Sequence, residues 1–166
     1  MSVNMTQKHN QRLIRGRVLS FIREPQDISD TASYIYYEDG ALLVEDGLIK
    51  AVGDYAAVAA QKSADTPETD HRPHLILPGF IDTHIHFPQS QVVASYAAEL
   101  LDWLNDYTFI EEQKYADEQF GEHIAERFID ELLRHGTTTV VAYGSVHLQS
   151  VDAFFRASER LNMRNI

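Results

Sequence analysis

The 166-residue sequence contains no cysteine. That absence excludes disulfides, thiolate zinc sites, iron–sulfur clusters and a cysteine nucleophile, so any metal must be held by His, Asp or Glu. Positive charge is scarce: 14 Lys and Arg against 25 Asp and Glu leave a net charge of −11. A surface this acidic is ill suited to displacing the counterions of a nucleic-acid backbone, and it disfavours an anionic membrane for the same reason. No apolar run approaches the roughly 18 residues that cross a bilayer. The opening MSVNMTQKHN lacks the apolar stretch of a secretory signal, so the expectation is a soluble, cytoplasmic protein. What is present is ordinary: 44% hydrophobic and 23% charged residues rule out a collagen-like or wholly disordered chain.

Along the chain, residues 1–10 read as a flexible polar tail. Residues 13–22 (LIRGRVLSFI) alternate as a half-buried strand does, and Pro25, Asp27, Ser29 and Asp30 mark a loop. Asp46-Gly47 between two apolar runs predicts a hairpin of 41–45 and 48–52, because this pair tolerates the positive φ angles of a tight turn. The Ala-rich stretch 54–61 predicts a short helix capped by Asp54. The polar, proline-bearing 62–73 reads as a linker.

From Leu75 the pattern changes to strands alternating with helices. Residues 75–87 (LILPGFIDTHIHF) predict strands broken at Pro78-Gly79. Val92, Val93, Tyr96, Leu100 and Leu104 have helical spacing. Phe120, Ile124, Phe128 and Leu132 give a stronger apolar stripe ending at Gly136, a residue suited to closing a helix. The β-branched Thr137–Tyr143 predicts a buried strand. Ser150 is placed to cap a helix carrying Phe154, Phe155 and Leu161, and 163–166 begins another strand. The acidic pairs Glu111-Glu112 and Asp117-Glu118 read as solvated helix starts. This alternation predicts an α/β fold with a parallel sheet built from βαβ units. A closed eight-stranded barrel takes about 250 residues, so the expectation is a small open sheet or a piece of something larger.

The chemistry concentrates in Pro78-Gly79-Phe80-Ile81-Asp82-Thr83-His84-Ile85-His86. Alternate residues of a strand share a face, so Asp82, His84 and His86 project together and Ile81, Thr83 and Ile85 face the other way. Two imidazoles two residues apart can reach one metal, and Asp82 is placed to orient a ligand from behind. Two imidazoles suit zinc, nickel, copper or iron. Active sites of βα arrays gather at the C-terminal ends of the strands, where this pair lies. The other histidines have plainer readings: His9 in the tail, His71 and His74 in a loop, His123 and His135 on or at the end of a helix.

The segment P-G-F-I-D-T-H-I-H resembles the first-strand signature of the amidohydrolase superfamily. His86-Phe87-Pro88-Gln89-Ser90, Glu99-Leu100-Leu101-Asp102-Trp103-Leu104, Tyr107-Thr108-Phe109, His135-Gly136-Thr137-Thr138-Thr139 and Ser145-Val146-His147 narrow the likeness to the guanine deaminase family within it. The resemblance is specific from Leu75 onward and generic before it. It implies an incomplete metal-dependent (β/α)8 barrel over 75–166, holding the first two βα units and the start of a third strand. Residues 11–74 would then form part of a β-sandwich.

The resemblance further implies hydrolytic deamination of guanine to xanthine and ammonia, a step of purine catabolism, by a zinc-activated water. His84 and His86 take the place of the first two zinc ligands, with one Zn2+ per complete subunit. Gln89 takes the place of the amide that reads the purine, beside the backbone of Phe87 and Pro88. A carboxamide carries both a donor and an acceptor, as a purine edge does. The remaining ligands and the acid/base carboxylate would come from later strands, so the 166 residues alone are expected to be inactive and the complete enzyme to be a homodimer. Another deaminase or chlorohydrolase of the superfamily, and a non-catalytic fragment acting as an assembly module, are the alternatives. Trp103 and His147 are further candidates for the pocket. An aromatic wall of Trp103, Tyr107 and Phe109 competes with the plainer reading of a packed helix end.

Overall fold

The computed structural model describes residues 10–166. The tail expected over 1–10, with His9, lies outside the described residues apart from Asn10. The chain divides into two compact units between Pro78 and Gly79.

In the first unit, β1 (Gln11–Phe21), β2 (Tyr34–Glu45), β3 (Leu48–Asp54) and β4 (Glu68–Ile76) form one sheet in the order β3-β2-β1-β4. β2 is antiparallel to both β1 and β3, and β4 runs parallel to β1. The β2–β3 turn is the expected one: Asp46 and Gly47 have φ of 53° and 84°, and consecutive positive values match the twist of a two-residue hairpin. β2, however, begins at Tyr34 rather than 41. Leu13, Ala41, Leu43 and Val58 form the small buried core, with Val58 supplied by α1 (Tyr55–Ala59). Asp54 stands at the N-terminus of α1 but makes no side-chain cap bond.

The expected linker 62–73 is a correction, because its second half belongs to β4, which also takes His71 and His74 out of a loop. β4 lies at the sheet edge and exposes every side chain but the last. Such a strand is held by backbone bonds alone, so it leaves no hydrophobic period to read.

In the second unit, β5 (Phe80–His86), β6 (Thr137–Tyr143) and β7 (Arg164–Asn165) form a parallel sheet in that order. Between β5 and β6 the chain makes a 3₁₀ turn (Phe87–Val92), α2 (Leu100–Trp103), a π turn (Leu104–Thr108), α3 (Phe109–Gln113), a second 3₁₀ turn (Lys114–Ala116) and α4 (Glu118–Arg134). α5 (Leu148–Arg160) joins β6 to β7. The core gathers Phe87, Tyr115, Ile124, Ile129, Val140, Phe154 and Met163. Asp117 caps α4, its carboxylate accepting from the backbone of Gln119 (2.9 Å) and Phe120 (3.2 Å). Gly136, at φ 85°, takes the chain out of it. Arg156 pairs with Glu118 and Glu122 at 2.9 Å each, tying α5 to α4. Gly79 is obligatory for a steric reason: a Cβ there would lie 2.7 Å from Thr138 Cβ and closer still to the rest of that side chain.

Three further expectations are corrected. The spacing Val92–Leu104 does not produce one continuous helix: only its end is helical, from Leu100 on. Ala94 adopts φ 64°, and Val93 and Tyr96 are 78% and 82% exposed, so the stripe buries too little to stabilise one. Ser150 is not the cap of α5. His147 holds that position, and the Ser150 hydroxyl, one turn in, donates to the His147 carbonyl at 2.8 Å. Glu111 is not solvated but buried beside Lys114, its charge partner.

Two consequences are measurable. Phe154 is 4% exposed and packs on Phe87 with ring centroids 5.0 Å apart. Phe154→Ala therefore leaves a cavity costing about 3–5 kcal/mol, read as a lowered denaturation midpoint. In the first unit, Arg15 donates to Asp39 at 2.6 and 2.7 Å, and its guanidinium holds that carboxyl below the usual range. Arg72 and Arg23 do the same to Asp70 and Asp30. Carboxyls whose folded pKa is depressed bind fewer protons folded than unfolded, so their contribution is complete above the ordinary Asp value of about 3.9 and fades as pH falls through the folded values. A urea midpoint followed downward from neutrality should hold until about pH 4 and then decline, and Asp39→Asn should flatten the decline.

Candidate metal centre

The site grows from the C-terminal end of β5. In the pairing of β5 with β6, Asp82 faces Val140 and Ile85 faces Ala142. Three steps on one strand thus meet two on the other, which is a bulge at Thr83-His84. Within it the Asp82 carboxylate accepts the backbone N–H of His84 at 2.9 Å. One oxygen of Asp82 thus braces the bulge backbone, and its second oxygen makes no hydrogen bond among the described residues. The predicted face alternation holds only in part, since Ile85 packs on the core while Ile81 is exposed.

The two imidazoles do come together. A strand advances about 6.6 Å over two residues, yet His84 Nε2 and His86 Nε2 lie 3.2 Å apart. Two nitrogens each about 2.0–2.1 Å from one tetrahedral zinc would be about 3.3 Å apart, so the donor atoms and their spacing fit such an ion. Among the described residues no group of three or more His, Cys, Asp or Glu side chains is placed to hold a metal. Each imidazole ring also lies against Tyr143 at the end of β6, with ring centroids 4.8 Å away in both cases.

Past His86 the chain turns inward. Phe87 and Pro88 are buried, and the Phe87 ring packs among Tyr115, Phe128 and Phe154. Its side chain is thus committed to the core. This anchored turn places Gln89 on the wall of a cavity of about 610 Å³ shared with His84, His86, Trp103, Arg127 and Glu131. That volume lies within the range of small-molecule sites. Gln89 Nε2 donates to Glu112 at 3.3 Å. Trp103 is fixed by its indole N–H donating to the Ser95 hydroxyl at 2.7 Å. Beneath the turn lies Tyr115, whose phenol burial pushes up to about 12, against the opposing pull of the Ser90 hydroxyl.

His84, His86, Gln89 and Trp103 thus share one cavity. His147 does not line it; at the start of α5 its Nε2 is buried without a hydrogen-bond partner among the described residues. Tyr107 and Phe109 are likewise absent from the lining, so no wall of three aromatics forms. Tyr143, Glu112, Ser95, Arg127 and Glu131 were not read from the sequence as site residues. One signal was available for Tyr143: aligning the C-terminal ends of two neighbouring parallel strands sets it opposite His86.

Residues 75–166 match the model of the amidohydrolase family, and 40–61 match an imidazolonepropionase-like composite domain of bacteria. The chain is 40% identical over 165 residues to guanine deaminase of Escherichia coli K12, spanning 98% of this chain and 37% of that protein. The solved guanine deaminase of Bradyrhizobium japonicum superposes with a TM-score of 0.87 at 37% identity, over 94% of this chain and 34% of that one. A guanine deaminase from C. acetobutylicum, with guanine bound in its active site, superposes with a TM-score of 0.74 at 26% identity, over 94% and 35%. The chain spans about a third of the length of these relatives. With the histidine pair, the cavity and more than half of its length matched by one family model, the chain belongs to the amidohydrolase family.

Proposed function

We propose that this chain is the N-terminal part of a zinc-dependent guanine deaminase, which hydrolyses guanine to xanthine and ammonia in purine breakdown. One observation carries the reading: the His84 and His86 Nε2 atoms stand 3.2 Å apart on the wall of a cavity that also holds Gln89 and Trp103. The relatives named guanine deaminase, one of them with guanine in its active site, supply the substrate class. The parallel β5-β6-β7 sheet with its connecting helices corresponds to the first two βα units and the opening of the third strand of a (β/α)8 barrel. The β3-β2-β1-β4 sheet corresponds to part of a β-sandwich.

His84 and His86 would hold the zinc, which when bound makes water reactive near neutral pH. The ligands that complete the site and the carboxylate that moves protons are assigned to the remainder of the enzyme, so this chain alone is proposed to be inactive. The complete enzyme is proposed to be a cytoplasmic homodimer. Among the described residues no helix is long and apolar enough to cross a membrane.

Gln89 gives the site its reading of the base. One N–H of its Nε2 donates to Glu112, leaving its Oε1 to accept from a purine N–H and its second N–H to donate, and a neutral amide suits an uncharged ring. The main chain of Phe87 and Pro88 lies beside it and offers carbonyl and, from Phe87, N–H groups. Trp103, held by Ser95, presents a flat apolar face along which a planar ring can lie and from which water is displaced.

Steady-state assay of the complete protein with guanine tests this. His84→Ala and His86→Ala should each lower zinc content and reduce kcat/KM by on the order of 1,000-fold, since a metal contributes several kcal/mol to the transition state. Gln89→Ala should leave zinc content unchanged and reduce kcat/KM for guanine by about 10- to 100-fold, the range of a buried hydrogen bond left unpaired. Full zinc and full rate in the histidine variants would sink the metal reading. Turnover of another aminated or chlorinated heterocycle in place of guanine would sink the substrate.

A further inference from the structure

A histidine that binds a metal ordinarily donates its second ring N–H to a carboxylate or carbonyl, which fixes the ring. Here neither Nδ1 of the pair has a hydrogen-bond partner among the described residues, because the contacts of both side chains are Nε2 to Nε2 and ring to ring. The carboxylate nearest in sequence, Asp82, accepts the His84 backbone N–H with one oxygen. The imidazole torsion about Cβ–Cγ is intrinsically broad, so a contact that fixes the ring planes helps keep the two Nε2 atoms converged.

We propose that Tyr143 is the positioning residue of the pair, its aromatic ring restricting both imidazole planes. The inference rests on the metal reading given above. The Tyr143 ring stacks on His86 at 4.8 Å with an interplanar angle of 14° and meets His84 at 4.8 Å and 42°. Both distances fall within the range of favourable aromatic pairs. The pairing of β5 with β6 sets Tyr143 opposite His86, so the contact is fixed by the sheet rather than by a loop. The two histidine rings are themselves tilted by 53°, and one ring touching both restricts the pair together. The Tyr143 hydroxyl has no hydrogen-bond partner among the described residues, so the ring and not the phenol does the holding. Tyr143 is 48% exposed, and its removal opens no buried cavity.

Two variants separate this from a general packing role. Tyr143→Phe keeps the ring, and Tyr143→Leu keeps bulk without an aromatic face. In the complete protein stripped of zinc, the ring current of Tyr143 should shift the His86 imidazole protons upfield in NMR spectra. That shift should persist in Tyr143→Phe and vanish in Tyr143→Leu. In the complete protein, zinc affinity measured against a competing chelator should fall about 10- to 100-fold in Tyr143→Leu, the range for loss of an orienting partner. It should stay within about twofold of the parent in Tyr143→Phe. Cobalt in place of zinc should show an altered visible spectrum in the Leu variant alone.

Unchanged zinc affinity in Tyr143→Leu, with the parent binding normally, overturns the role of Tyr143 and leaves the metal reading standing. Equal losses in both variants overturn it in favour of the hydroxyl. A parent that keeps the ring-current shift but takes up no zinc overturns the metal reading, and this proposal with it.

Discussion

Two imidazole nitrogens 3.2 Å apart cannot both direct lone pairs at empty space. They must share a proton or share a cation, and the local structure of the second unit is arranged around that constraint. The bulge in β5 sets the two side chains at different heights and angles, and Asp82 satisfies the His84 N–H inside it. Tyr143 closes on both rings from the neighbouring strand. Backbone bonding and aromatic packing thus converge on one point at the C-terminal end of a strand.

The residue that follows the pair explains why the strand end can bear this. Phe87, 1% exposed, is driven into a cluster of aromatic rings formed with Tyr115, Phe128 and Phe154, and its burial anchors the chain directly after His86. The next turn is short and tight, and it brings Gln89 to the cavity wall while Pro88 stays buried. The hydrophobic core and the polar site are thus two sides of one ten-residue stretch. A change in the core reaches the site through a single turn of backbone.

Much of this was readable in advance where one physical signal dominated. The i, i+4 stripe Phe120–Leu132 produced α4, and Asp46-Gly47 produced the hairpin, because periodicity and positive-φ tolerance are local properties. The reading failed where local signals pointed the wrong way. The 62–73 stretch is polar, yet its second half forms the edge strand β4, since an edge strand needs only backbone partners. The apolar spacing Val92–Leu104 pointed to one helix, but only its end from Leu100 is helical, since Val93 and Tyr96 have no surface to bury against. Glu111 looked like a solvated carboxylate and is buried beside Lys114, because the face a helical turn presents is set by what packs on it.

The sequence by itself determined the chemistry available: no thiolate, two histidines in alternation at a strand end, a carboxamide three residues on, and the amidohydrolase signature that holds them. It also determined the α/β alternation of the second unit. Only the tertiary structure decided which groups serve which purpose. Asp82 came to brace the His84 backbone, and Tyr143, 57 residues beyond His86 in number, came to lie against both rings. The reason is geometric. Alternation fixes which way a side chain leaves its own strand, but the neighbour it meets depends on the register between strands, and that register is set by contacts far apart in the chain.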